Sequence, residues 1–217
     1  MHLLCSNEYQ LKSLDVSKNI ALKILWVRDT QLKSLDVSKN IALTNLQCFQ
    51  NFQLKELDVR NNIELEILSC GSNQLEELDV SNNIKLEHLA CYSNRLTELD
   101  LSKNTALETL ACYNNRLTKL DVKNNKALTY ILCLDNQLTN LDVSENTALL
   151  SLACDENQFD DISLNALFGT LHSKNITYWD GTPKTIYIGN NSGTDTCNPS
   201  IAESKGRTVK KYLFSSN

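Results

Sequence analysis

The sequence predicts an α/β repeat solenoid: a right-handed coil with a parallel β-sheet on its concave face and a helical C-terminal cap. Three observations predict it. A Leu-Asp-Val motif recurs at a nearly fixed interval, apolar residues alternate over a short stretch of every interval, and two series of asparagines recur in step with both.

The interval comes first, because a fixed period of this length means stacked units whatever the local secondary structure. The motif begins at Leu14, Leu35, Leu57, Leu78, Leu99, Leu120 and Leu141, so the period is 21 residues with one step of 22. A representative unit runs from Leu65 to Lys85 and reads L-x-x-L-x-C-x-x-N-x-L, then x-x-L-D-V-S-x-N-x-x. In the L-x-L-x-C part, alternate side chains point to opposite faces of a strand, so three go inward and the x positions go outward. One such strand cannot bury its apolar face. Neighbouring units stacked at about 4.8 Å pair the strands in parallel and close one continuous core. The second half turns a Leu and a Val, such as Leu78 and Val80, back into that core from the opposite side.

Asn51, Asn73, Asn94, Asn115, Asn136 and Asn157 each follow the third apolar slot by three residues. Where a strand ends, backbone groups lose partners, and a carboxamide both donates and accepts. A buried asparagine ladder is expected there. A second series, Asn19, Asn40, Asn62, Asn83, Asn104, Asn125 and Asn146, turns the chain after Leu-Asp-Val. With only 6 glycines and 2 prolines in 217 residues, asparagine is the available turn former.

Cys48, Cys70, Cys91, Cys112, Cys133 and Cys154 fill the third slot, Cys5 falls there too, and Val27 replaces them in the second unit. A position that accepts valine is a packing position. One thiol per coil cannot gather four ligands, no C-x-x-C occurs, and adjacent strands hold side chains about 5 Å apart, beyond disulfide Cβ spacing. Reduced, buried thiols are expected, with Cys197 outside the series. The aspartates Asp15, Asp36, Asp58, Asp79, Asp100, Asp121 and Asp142 form another column. A cation site needs carboxylates converging on one point, so each Asp is read as accepting turn amides beside the residue that follows.

The repeated unit resembles the cysteine-ladder leucine-rich repeats of bacterial surface proteins, of the internalin kind. The resemblance covers Cys5 to about Ile162. The segment from Ile162 to Val209, including Lys184 to Ile188 and Ser200 to Gly206, is similar to the closing segment after such repeats in secreted proteins of gut bacteria. It implies secreted or cell-surface placement and adhesion or ligand binding. The second unit departs from the pattern at Trp26-Val27-Arg28-Asp29-Thr30, losing both Cys and Asn, and extra residues follow Cys5 and Cys48. Distorted early coils are expected.

Residues 1–161 are assigned to the repeats, starting mid-repeat, and 162–217 to a C-terminal cap with a helix, a last strand and a tail. Leu164, Leu167, Phe168 and Leu171 fall at helical spacing, with Ser163 as cap. A second short helix is expected from Asn198-Pro199 to Gly206, and Ile188 with Asn191 should supply the last strand and ladder positions. Lys205, Arg207, Lys210 and Lys211 read as a solvated basic tail.

The composition is that of an ordinary globular chain, 41% hydrophobic and 22% charged, with a net charge of −5 and no basic face for nucleic acid. No apolar run reaches the length of a membrane span, and the first residues are not a signal peptide. His2, His88 and His172 fall in unrelated places, no catalytic pair recurs, and no cofactor or metal is expected. Function is therefore placed on the outward strand positions. Trp26, Arg28, Phe49, His88, Tyr92, Tyr113 and Tyr130 share one face beside Ser69, Ala90, Ala111 and Ala153. Exposed aromatics among small neighbours suit recognition. The chain is read as a non-catalytic module for protein–protein recognition or adhesion. A glycan-binding surface and a structural spacer are the alternatives, and self-association through the N-terminal strand edge is a further expectation.

Overall fold

In the computed structural model, which describes residues 1–173 and 183–211, ten strands form a single parallel sheet in strict chain order. They are β1 (His2–Ser6), β2 (Ile24–Arg28), β3 (Asn45–Gln47), β4 (Ile67–Ser69), β5 (His88–Ala90), β6 (Thr109–Ala111), β7 (Tyr130–Leu132), β8 (Ser151–Ala153), β9 (Lys184–Tyr187) and β10 (Arg207–Lys210). Helix α1 (Asp161–Thr170) lies between β8 and β9, and α2 (Ser200–Glu203) between β9 and β10. Each strand therefore opens one turn of a right-handed solenoid, the handedness that L-residues impose on parallel strand crossovers.

Register follows the repeat. Leu25, Leu46, Leu68, Leu89, Leu110, Ile131, Leu152 and Ile186 pair across β2 to β9 as the central inward residues, and all are buried. Their neighbours on β2, β3, β4, β5 and β7 are half-exposed, so the two faces alternate as the pleat requires. The core also takes the returning residues Val16, Val37, Val59, Val80, Leu101, Val122 and Val143, buried to within 1%. One unbranched interior runs the length of the coil.

Both asparagine series form ladders, buried except at the half-buried Asn19 and Asn94. In the first, the carboxamide nitrogen of Asn115 donates to the carbonyls of Cys112 (3.0 Å) and, one coil earlier, Cys91 (3.1 Å), while its oxygen accepts from the Leu96 amide (3.0 Å). Asn73, Asn94, Asn136 and Asn157 also span two coils in this way. In the second, Asn104 donates to Val80 (3.0 Å) and Asn83 (2.9 Å) of the coil before, and its oxygen is buried without a partner among the described residues. The strand-end turn between them carries one non-glycine residue per coil at positive φ: Asn7, Asp29, Gln50, Ser72, Ser93, Asn114, Asp135, Glu156 and Asn190, all between 51° and 62°.

The irregular early coils keep the strand register. Thr30 stands in the missing Asn position, is 6% exposed, donates its hydroxyl to Asn51 and accepts from the Leu32 amide. The extra residue after Cys48 changes only which amide the ladder serves. Asn73 there accepts from the Asn51 amide, whereas later coils offer the amide of the Leu two residues beyond the Asn.

Beyond the repeats, α1 buries Leu164, Leu167 and Phe168 as its spacing predicts, but its cap differs. Asp160 caps the helix by accepting from the Ser163 amide (2.8 Å), because a residue three ahead of the capped amide is needed and Ser163 lies inside the first turn. Asn191 continues the first ladder by donating to Ile188 and Cys154. The basic tail is also corrected: Arg207 is 4% exposed and opens β10, which pairs in parallel with β9. The stretches 174–182 and 212–217 lie outside the described residues.

Candidate binding face

The outward residues of the strands form three columns on the concave face. The middle column is Trp26, Gln47, Ser69, Ala90, Ala111, Leu132, Ala153 and Tyr187, in register strand by strand. All seven sequence-predicted site residues are half-buried and lie on this face, but they do not form one cluster.

Arg28 and Phe49 make the first group. The guanidinium sits 5.4 Å from the centroid of the Phe49 ring and its Nε donates to Ser6 at 3.3 Å. Tyr92 and Tyr113 make the second group, one coil apart at the same position. Their rings are parallel within 3° with centroids 4.7 Å apart, one strand spacing. Between the groups is Gly71, on the intervening coil, and it permits the stack: a methyl group there would lie 2.6 Å from Cζ of Tyr92. Partial burial pushes both phenol hydroxyls above their ordinary pKa, with Cys70 adding to the effect on Tyr92 and Tyr92 adding to that on Tyr113. His88 and Tyr130 stand in the first column, separated by Thr109. Tyr92 lies four residues past His88, roughly 13 Å at the strand rise.

Sequence reasoning gave Gly71 no role. The available signal was a glycine immediately before a tyrosine in the same column, one coil apart. The positive-φ column had no comparable signal, because none of its residues is glycine.

The thiols behind the face are inert packing groups. All eight cysteines are free, and Cys48, Cys70, Cys91, Cys112, Cys133 and Cys154 are completely buried. Burial pushes the Cys48 and Cys91 thiols up to about 12. Cys133 and Cys154 donate weakly to the next coil's carbonyls at 3.3 Å. Val27 occupies the same slot, fully buried.

On the opposite side, the aspartate column does what a turn requires. Asp15, Asp36, Asp58, Asp79, Asp100, Asp121 and Asp142 each accept from the amide two residues on, at 2.8–3.0 Å. These hydrogen bonds hold the carboxyl of Asp79 below the usual range, and the added bonds from Arg60 take Asp58 to about 2. Among the described residues, no group of three His, Cys, Asp or Glu could hold a metal ion, and no helix is long and apolar enough to cross a membrane.

The functional domain of InlJ from Listeria monocytogenes, itself described as including a cysteine ladder, aligns over 96% of this chain and 48% of its own, at 28% identity and TM-score 0.67. The chain has the leucine-rich-repeat fold, and its column of thiols is similar to a cysteine ladder. The likeness lies in the coil fold and in the ladder of cysteines, which in this chain is the column of buried thiols. The internalin InlF of the same organism aligns over 97% of the chain and 62% of its own, at 20% identity and TM-score 0.78. A leucine-rich-repeat protein of Leptospira interrogans aligns over 93% and 52%, at 20% identity and TM-score 0.71. This leucine-rich-repeat chain spans about half to three-fifths of the length of these neighbours. No protein-family model and no curated protein matches it.

Proposed function

We propose that this chain is a non-catalytic binding module of a secreted or surface-attached bacterial protein, and that it recognises a protein ligand through the concave face of its sheet. Residues 162–217 serve in this reading as the C-terminal cap of the coil. The observation that carries the reading is the Tyr92–Tyr113 stack, an ordered pair of half-exposed rings on a face that no second layer of the described chain covers. Rigid aromatics lose little side-chain entropy on binding and supply large contact area, which is why they dominate the energetics of protein interfaces. Arg28 and Phe49 extend the same surface by two coils.

The soluble chain is to be applied to a protein array and to a glycan array, beside the Tyr92→Ala/Tyr113→Ala variant. Retention on proteins, lost at least about tenfold in the variant with its thermal melt unchanged, is the expected result. Equal retention by both chains would leave the coil as a spacer, and retention confined to glycans would change the ligand class.

A further inference from the structure

We infer that the concave face takes a basic peptide segment, seated over β4, β5 and β6 with a lysine or arginine at one end. This inference rests on the concave-face reading proposed above and specifies the chemistry of its ligand. Three features coincide on the same three coils. The middle column narrows there to Ser69, Ala90 and Ala111, between the large Gln47 on β3 and Leu132 on β7, which leaves a trough. One end of the trough is closed by the Tyr92–Tyr113 pair, packed over Gly71. At the other end, immediately before the strands, stand Glu66, Glu87 and Glu108, all exposed.

The carboxylates are specific to these coils. The equivalent positions are Lys23 and Thr44 before them and Thr129 and Leu150 after them. Among the described residues, none of the ion pairs involves Glu66, Glu87 or Glu108. Like charges repeated at strand spacing repel one another, so the column carries a cost that an opposing cation removes. The outward residues of these coils, Ile67, Ser69, Gly71, His88, Ala90, Tyr92, Thr109, Ala111 and Tyr113, include no lysine or arginine that could do so. From Glu87 to Tyr92 is five residues, roughly 16 Å of strand, the length of about five extended residues of a ligand. Such a segment places a cation among the carboxylates, a small or apolar residue over Ala90 and Ala111, and an apolar or aromatic residue against the tyrosines.

The test uses three fluorescent pentapeptides, Lys-Lys-Ala-Leu-Tyr and its Gln-Gln and Glu-Glu counterparts, titrated against the full chain by anisotropy at low and high salt. The lysine peptide is expected to bind about tenfold more tightly than the glutamine peptide, with the difference shrinking at high salt. The Glu66→Gln/Glu87→Gln/Glu108→Gln variant should bind these two peptides alike, and Tyr92→Ala/Tyr113→Ala should weaken both. Equal binding of the lysine and glutamine peptides to the unaltered chain, or binding of neither, overturns the basic-ligand inference. The concave-face reading fails separately, only if tyrosine replacement leaves array retention unchanged.

Discussion

The phenol ring of Tyr92 lies against the backbone of Gly71, one coil away, so closely that a Cβ on Gly71 would come within 2.6 Å of Cζ. Tyr113 then stacks on Tyr92 in parallel, and the aromatic face is assembled from one glycine and two tyrosines. Gly71→Ala should push the Tyr92 ring off its seat and disturb the stack. Ladder and core lie on the other side of the sheet, so unfolding stability should change by less than about 1 kcal/mol. Near-ultraviolet circular dichroism should register the disturbed tyrosines, and array retention should fall as in the tyrosine double variant. A retained tyrosine signal would show that the stack does not depend on Gly71.

The two ladders differ in strength. Asn115→Ala would leave the Leu96 amide without its acceptor, while the Cys91 and Cys112 carbonyls keep Asn94 and Asn136 as donors. Asn104→Ala would strand no group, because the Val80 and Asn83 carbonyls still accept from the Asn83 and Leu86 amides. Each buried orphan costs about 1–3 kcal/mol. Urea denaturation should therefore show a loss of about 2 kcal/mol for Asn115→Ala and a smaller loss, about 1 kcal/mol, for Asn104→Ala. The reverse order would contradict this account of what the ladders hold.

The turn residues at positive φ should tolerate glycine and reject β-branched side chains. Ser93 has φ 51°, a region that costs a β-carbon residue about 1–2 kcal/mol. Ser93→Gly relieves that cost while loosening the unfolded chain, and should stay within about 0.5 kcal/mol of the parent. Ser93→Val should destabilise by more than about 1 kcal/mol. Chemical denaturation of the two variants separates these outcomes.

The ladder thiols should be unreactive in the folded chain. With Cys91 at about 12, its thiolate fraction at pH 8 is about one in ten thousand, and burial blocks access as well. A thiol reagent should therefore modify only Cys5 and Cys197 before unfolding, the two cysteines that are not fully buried. Rapid labelling of six further thiols in native conditions would place them outside the core.

The same thiols set an alkaline limit. Their pKa is raised on folding, so the folded chain holds these protons more tightly than the unfolded chain. That contribution is intact below the ordinary thiol pKa of 9.0 and drains away as pH climbs toward about 12. The urea midpoint should fall across that window. Replacing Cys91 with Val, the residue the second coil already uses in this slot, should soften the fall.

The coil was legible in the sequence because its determinants are periodic. Inward leucines, the thiol slot and both asparagine series repeat with the strand, so one unit read correctly places all of them. The local misreadings came where the period stops. Near α1, Asp160 and Ser163 are both capping residue types, and only the backbone path shows which lies outside the first turn. At the C-terminus, Arg207 to Lys210 reads as a charged tail. It is a strand because β9 leaves an open edge beside it.

What the sequence determined by itself is the identity of the inward face, since alternation and period fix which residues leave water. What the tertiary structure decided is how the outward residues meet. Tyr92 and Gly71 are 21 positions apart, and only stacking of the coils sets one ring on the other's backbone. His88 and Tyr92, four residues apart on one coil, do not meet, because neighbours along an extended chain face apart or stand several ångströms away, while neighbours across strands touch.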